Sequence, residues 1–327
     1  MIKKEFIMNE QIFNQIERQD QKLPNIFSYA TNELSQDAFL CWLFEWGQQN
    51  YQGTFLYQKA RELLKRFGIE VTEKTQIDVI KKQYKHIDVL LLLKNPKKAV
   101  IIEDKVYSAE HGDQIKKYAE ALSEEGEYSK EEILTVYLKT ANFIGKNRNA
   151  QITIGRQDIL DVLGKEGCGN NIFDEFIEHL LRLNEKTDEW KNEEEPVRWS
   201  YRAWEGFLME HSGENGGMGY VPNPSGGFLA YWFSWEDINN QHDEIYKQIE
   251  ILPNKRLKLC YKINFNNKER YNANLVKELQ AELLKEHADL KLGNRSGRTS
   301  TYAYKKINLD EISKDECIKM VDAFIKG

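Results

Sequence analysis

The chain has 327 residues, with 46 Lys and Arg against 52 Asp and Glu, for a formal charge of −6. Hydrophobic residues at 41% supply material for packed cores, so wholesale disorder is excluded, and about two domains are expected at this length. The acidic balance weighs against a protein that coats nucleic acid through bulk charge.

Residues 1–24 are polar with scattered apolar positions and read as a lead-in helix. From Ser35 to Trp46 the residues Ala38, Phe39, Leu40, Trp42, Leu43 and Trp46 recur at helical spacing. A second helix is expected over Phe55 to Phe67, stopped by Gly68. The period then changes. Ile87 to Leu93 and Ala99 to Val106 are short apolar runs around Lys94-Asn95-Pro96-Lys97, which predicts a hairpin. A helix over Asp113 to Leu122 follows, then strands at Ile133 to Lys139 and Ile152 to Ile154, and helices at Asp158 to Gly164 and Phe173 to Leu183. The acidic stretch Glu185 to Glu195, ending at Pro196, marks a domain boundary, which divides the chain at residues 25–190 and 191–327. Beyond it, Gly213 to Gly227 reads as a loop. Strands are expected at Phe228 to Trp235, Arg256 to Phe265 and Thr301 to Ile307, with helices over Leu275 to His287 and Asp310 to Ile325.

The longest purely aliphatic run, Val89 to Leu93, is far short of the ~20 residues that cross a bilayer, and the first residues lack an apolar signal-peptide core. Cys41, Cys168, Cys260 and Cys317 form no CxxC spacing. Each reads as a small buried or incidental thiol, and reducing cytoplasm is the expected setting.

The hairpin carries the chemistry. A symmetric turn between Asn95 and Pro96 makes opposed residue numbers sum to about 191. Asp88 then faces Glu103 and His86 faces Lys105, while Asp104 points to the other side of the sheet. Two carboxylates and an ammonium at the end of apolar strands are a candidate hard-oxygen site for Mg²⁺ or Mn²⁺. Solvated charges at a hairpin end are the alternative. Glu33 and Asp37 share a helix face if the helix starts by Glu33, as site acids or as acids favoured by the helix dipole. Gln114 and Tyr118 lie one turn apart on the next helix, which makes them site neighbours or a solvated face. His86 and His111 flank the region and receive no role.

Together these residues resemble the PD-(D/E)XK nuclease superfamily. The signature reads Ile87-Asp88-Val89 and then Ile102-Glu103-Asp104-Lys105. Glu33 to Leu43 is similar to the leading helix of one bacterial branch, and Ser108 to Gln114 with Tyr118 is similar to that branch's Gln-containing helix. The chain has Gln36-Asp37 where the branch usually has His-Ser, and Ile87 in place of the proline. The resemblance covers about residues 25–185. It implies an α/β, restriction-endonuclease-like core, with a central mixed sheet flanked by helices, beside a smaller C-terminal α+β domain. It also implies metal-dependent phosphodiester hydrolysis, most readily of DNA, in defence or repair. Asp88 and Glu103 would ligate Mg²⁺ or Mn²⁺ with the Asp104 carbonyl. Lys105 would orient the attacking water, Glu33 would complete the acidic site, and Gln114 would support it. A non-catalytic nucleic-acid-binding or protein-interaction module on the same fold is the alternative, and RNA is the alternative substrate. A homodimer or a defence-system partner is the further expectation, and a membrane is not.

In the C-terminal part, Asn254 to Lys306 holds 13 Lys and Arg against five Asp and Glu, a net of +8, which leaves −14 for the remainder. Arg256, Lys258 and Lys262 share one face of an alternating strand, and Arg295 and Arg298 lie in a loop. These five are candidate phosphate contacts, with ordinary solvated lysines as the alternative. Tyr231, Phe233 and Trp235 alternate on one strand face and are expected to fill a core.

Overall fold

The computed structural model describes residues 25–30, 32–107, 112–212, 216–223, 226–238, 242–267, 271–294 and 297–327. The expected lead-in helix, His111 and Arg295 lie outside them. The first unit is a five-stranded mixed sheet in the order β1 (Gln76–Tyr84), β2 (Ile87–Lys94), β3 (Lys98–Lys105), β4 (Ile133–Lys139) and β5 (Ile152–Gly155). The pairs β1/β2 and β2/β3 are antiparallel, and β3/β4 and β4/β5 are parallel.

Helices α1 (Asn32–Trp46) and α2 (Phe55–Arg66) precede the sheet. The Thr54 side chain accepts a hydrogen bond from the Tyr57 N–H to start α2, and Gly68, at φ +84°, ends it as expected. Helix α3 (Gln114–Glu124) crosses from β3 to β4, and α4 (Arg156–Leu163) and α5 (Asn171–Asn192) follow β5.

Alternation along the central strands separates two cores. Val89, Leu91, Val100, Ile102, Val136 and Leu138 join Phe39, Leu40 and Leu43 of α1 and Phe173, Phe176 and Leu180 of α5. Leu90, Ala99, Ile101 and Ile133 face the other way, against Tyr118 and Leu122 of α3. Phe39 stacks on Phe176 at 3.7 Å between centroids, which locks α1 to α5 and fixes the helix that carries Glu33.

The second unit is a six-stranded antiparallel sheet in the order β10 (Lys291–Leu292), β11 (Thr299–Asn308), β9 (Arg256–Asn264), β8 (Glu244–Leu252), β7 (Phe228–Asp237) and β6 (Gly217–Val221). Helices α6 (Tyr201–His211), α7 (Ala273–Glu286) and α8 (Lys314–Lys326) accompany it. Leu229, Tyr231, Ile249, Leu257 and Leu259 pack against Trp204 and Phe207 of α6 and Val321 and Phe324 of α8.

Several sequence expectations are corrected. The helix expected to end at Leu183 continues through most of the acidic stretch to Asn192, because Thr187 and Trp190 bury on the same face as the earlier apolar positions. Strands β1, β6, β8 and β10 and helix α6 were not expected. The segment read as a loop contains β6, whose Gly217 leaves room for the Trp232 ring of β7. Trp235 does not continue the Tyr231–Phe233 face. A register shift between Phe233 and Glu236 turns it over, so Trp235 is exposed and stacks on Tyr246 at 3.9 Å.

Candidate active site

The hairpin register is the one that the turn implies. Val89 pairs with Ile102 and Leu93 with Lys98, so opposed numbers sum to 191. Asp88 therefore meets the end of β3 on the face that carries Glu103 and Lys105. His86 does not face Lys105. It lies in the exposed turn between β1 and β2, at φ +70°, because the chain already reverses there into β1.

Glu103, Asp104 and Lys105 are all buried. A buried charge needs partners, and here the ammonium supplies them. Lys105 Nζ lies 2.6 Å from Glu103 Oε1 and 3.2 Å from Asp88 Oδ2, and donates to the Asp104 carbonyl at 3.0 Å. The Asp104 N–H donates to Asp88 Oδ2 at 2.9 Å, which fixes that carboxylate against β3. Burial by itself would lower the Lys105 pKa. The hydrogen bond and charge of Glu103, with those of Asp88, outweigh it and hold the pKa above the ordinary lysine value.

Helix α3 covers this face. Gln114 Nε2 donates to Tyr118 Oη at 2.5 Å. Burial raises the Tyr118 pKa, and the charges of Glu103 and Asp88 add to it, so the phenol keeps its proton beside the site. Glu33 reaches the end of β3 from α1, where its Oε1 accepts from the Val106 N–H at 3.4 Å.

A second acidic group lies on the opposite face of β3, and sequence reasoning missed its role. Asp104 and Asp37 are both buried and interact directly, with Asp88 close enough to feel their charge. Burial, then the charge of Asp37, pushes the Asp104 carboxyl well up, while burial, then the charge of Asp88, raises Asp37 against the hydrogen bonds from Gln83 and Asp104 that lower it. Gln36 donates to Asp104 Oδ1 and accepts from Thr140 Oγ1 at 2.7 Å. Gln83 of β1 donates to both Asp37 Oδ2 (2.9 Å) and Asp88 Oδ1 (3.0 Å), joining the two acidic groups around the sheet end. The spacing of Asp37 four residues after Glu33 was its only sequence signal.

The rear of the site is anchored by a buried guanidinium. Arg156 donates to the Thr140 carbonyl (2.6 Å), Asn142 Oδ1 (2.8 Å), Thr187 Oγ1 (3.0 Å) and Asn184 Oδ1 (2.6 Å). Burial lowers its pKa to about 10.

The donor set suits a hard divalent cation. Two carboxylates and one carbonyl converge on a single cationic group, and all are oxygen ligands. Among the described residues no group of three or more His, Cys, Asp and Glu side chains is arranged to hold a metal ion.

On the second sheet the basic strand face is partly neutralised. Lys258 and Lys262 lie 3.2 and 3.7 Å from Glu250, while Arg256 and Arg298 are exposed.

A mixed sheet whose central antiparallel strands end in an aspartate and a Glu-x-Lys triplet, with helices on both faces, defines a restriction-endonuclease-like architecture. Residues 24–152 match the family model of the PD-(D/E)XK nuclease superfamily. The matched span holds Glu33, Asp88, Glu103, Lys105 and Gln114 and ends before the second sheet. No curated protein and no solved structure matches the chain.

Proposed function

We propose that the protein is a divalent-metal-dependent nuclease that hydrolyses phosphodiester bonds in DNA. The observation that carries the reading is the meeting of the Asp88 carboxylate, the Glu103 carboxylate and the Asp104 carbonyl on one cation-sized position, filled by Lys105 Nζ. Asp88, Glu103 and the Asp104 carbonyl would hold Mg²⁺ or Mn²⁺. The bound ion would supply Lewis acidity toward the scissile phosphate and make water more acidic.

The remaining roles belong to this chain's own groups. Lys105, protonated throughout the neutral range, orients the attacking water and offsets charge that develops on the phosphate. Tyr118, held by Gln114, presents a neutral phenol to the same face. Glu33 completes the acidic rim at the end of β3. Arg256, Lys258, Lys262 and Arg298 form a secondary backbone-contacting surface on the second sheet, with the two arginines the more available. Among the described residues no helix is long and apolar enough to cross a membrane. The reading includes a cytoplasmic role in defence or repair.

The test is cleavage of labelled single- and double-stranded DNA in Mg²⁺ and Mn²⁺. Asp88→Ala, Glu103→Ala and Lys105→Ala should each abolish cleavage while the far-UV spectrum is retained. Metal-dependent cleavage that persists in all three purified variants overturns the site.

A further inference from the structure

The second unit brings a helix to the edge of this site. The N-terminal turn of α6 presents Arg202 and Glu205 to the segment that leaves β3. The Arg202 guanidinium lies 4.3 Å from the ring centroid of Tyr107, two residues after Lys105. Asn142, just past the end of β4, donates to Glu205 Oε2 at 3.0 Å. Lys139 pairs with Lys105 in the parallel β3/β4 register, so their side chains emerge on one face. Burial lowers the Lys139 pKa. Glu205 and Glu33 act against that, while the charge of Arg202 adds to it. A row of three cations, Lys105, Lys139 and Arg202, thus runs outward from the carboxylates toward the second unit.

How Arg202 is paired decides what it is for. The carboxylate that meets Arg202, Glu205, lies three residues on in the same helix, so this pair does not tie the second unit to the first, and it falls short of the bidentate fork that would occupy the guanidinium fully. Here a single nitrogen, Nη1, takes both oxygens of Glu205, at 2.9 and 2.7 Å. The edge formed by Nε and Nη2 makes no hydrogen bond among the described residues, and the side chain is 33% exposed. Stacking on Tyr107 holds the plane of the guanidinium, and Tyr107 is itself 46% exposed. A preoriented planar donor edge beside a second cation is a site for a phosphate group.

We propose that Arg202, stacked on Tyr107 and flanked by Lys139, is a backbone-phosphate site through which the second unit holds the DNA strand next to the Asp88–Glu103–Lys105 centre. The inference rests on the nuclease reading and names the path of its substrate. The strand leaves the metal centre over Tyr107 and α6. In the free protein Glu205 occupies one nitrogen of the guanidinium and acts as a weak competitor for the phosphate.

The experiment is fluorescence anisotropy with labelled single-stranded and duplex DNA in EDTA, over a series of salt concentrations, so that binding is read without cleavage. Arg202→Gln should weaken binding about tenfold at low salt and reduce the slope of log K against log salt by about one. Glu205→Gln should do the reverse and tighten binding, because it frees the guanidinium. Thermal unfolding of each variant checks that it is folded. If Arg202→Gln changes neither affinity nor slope while the wild-type protein binds DNA, the phosphate site is wrong and the nuclease reading stands. If Glu205→Gln weakens binding as Arg202→Gln does, the pair is a structural joint and the inference falls. If the wild-type protein binds neither DNA, both readings fall together.

Discussion

Removal of the Lys105 ammonium separates its structural role from its chemical one. In Lys105→Met the aliphatic stem is roughly kept, but Glu103, with no solvent exposure, loses a partner at 2.6 Å, and Asp88 loses one at 3.2 Å. Breaking a buried pair on one side costs about 3–5 kcal/mol. Glu103 can relieve part of this by taking up a proton, so the lower end, about 3 kcal/mol, is expected in EDTA. A divalent ion should then do in the variant what the ammonium did in the wild type. At a hundred times Kd it adds about 2.7 kcal/mol. The wild type gains less, because the ion meets a resident positive charge on the same three oxygens. The assay is urea unfolding of both proteins with EDTA and with Mn²⁺, together with calorimetric Mn²⁺ titration. The variant should be the less stable in EDTA, the more stabilised by Mn²⁺ and the tighter Mn²⁺ binder, while cleaving no DNA. The ion pairs raise the folded-state pKa of Lys105, so its stabilising effect is complete below the ordinary lysine value and lost only above it. The wild-type side of the comparison should therefore not change with lysine titration between pH 6 and 9. Equal EDTA stability combined with weaker Mn²⁺ binding in the variant would refute this account of the cation position.

Further outcomes are expected at the buried acid pair and at the joint between the units. Asp104 has a raised folded-state pKa, so its contribution is present below the ordinary carboxylate value and lost as pH rises through the folded value. Asp104→Asn keeps an acceptor for Gln36 and cannot ionise. In EDTA its stability should fall less than that of the wild type between pH 4 and 8, and parallel curves would remove the raised Asp104 carboxyl from the description. A Cβ on Gly206 would overlap the Thr187 carbonyl oxygen where α6 crosses α5. Gly206→Ala should cost at least about 1–3 kcal/mol, the usual range for overpacking, although alanine is the better helix former. Unchanged urea stability would show that the two helices can part without cost. Buried Cys260 and Cys317, with thiols raised to about 12, should resist a thiol reagent that labels exposed Cys168 in the folded protein. Rapid labelling of all four would contradict the packing of the second core.

Much of the candidate site was legible because strand chemistry is local. Period-two alternation and one turn set the register of β2 and β3, and that register alone puts Asp88, Glu103 and Lys105 on one side. Helix spacing likewise placed Gln114 beside Tyr118. Strand β1 was missed because it is an edge strand with mostly half-exposed and polar positions, so no apolar pattern announces it. Strand β8 was missed because its second face is polar, and Glu250 is buried there by a hydrogen bond from Gln248 and by Lys258 and Lys262 of the neighbouring strand. The opening charge balance of −6 gave no hint that the acid concentrates around the sheet end.

Sequence alone was enough for the hairpin, its register and the meeting of Asp88 with Glu103 and Lys105 on one face, but not for the place of His86, since only the former follow from backbone geometry within the two strands. Only the tertiary structure decided what surrounds them. The contact of Asp37 with Asp104, the reach of Gln83 across the sheet end and the arrival of Arg202 on Tyr107 join residues 46 to 95 positions apart. They depend on how α1 packs on α5 and how α6 crosses it. Those helix positions are fixed by aromatic packing and by the volume that Gly206 leaves open, neither of which has a local period to read.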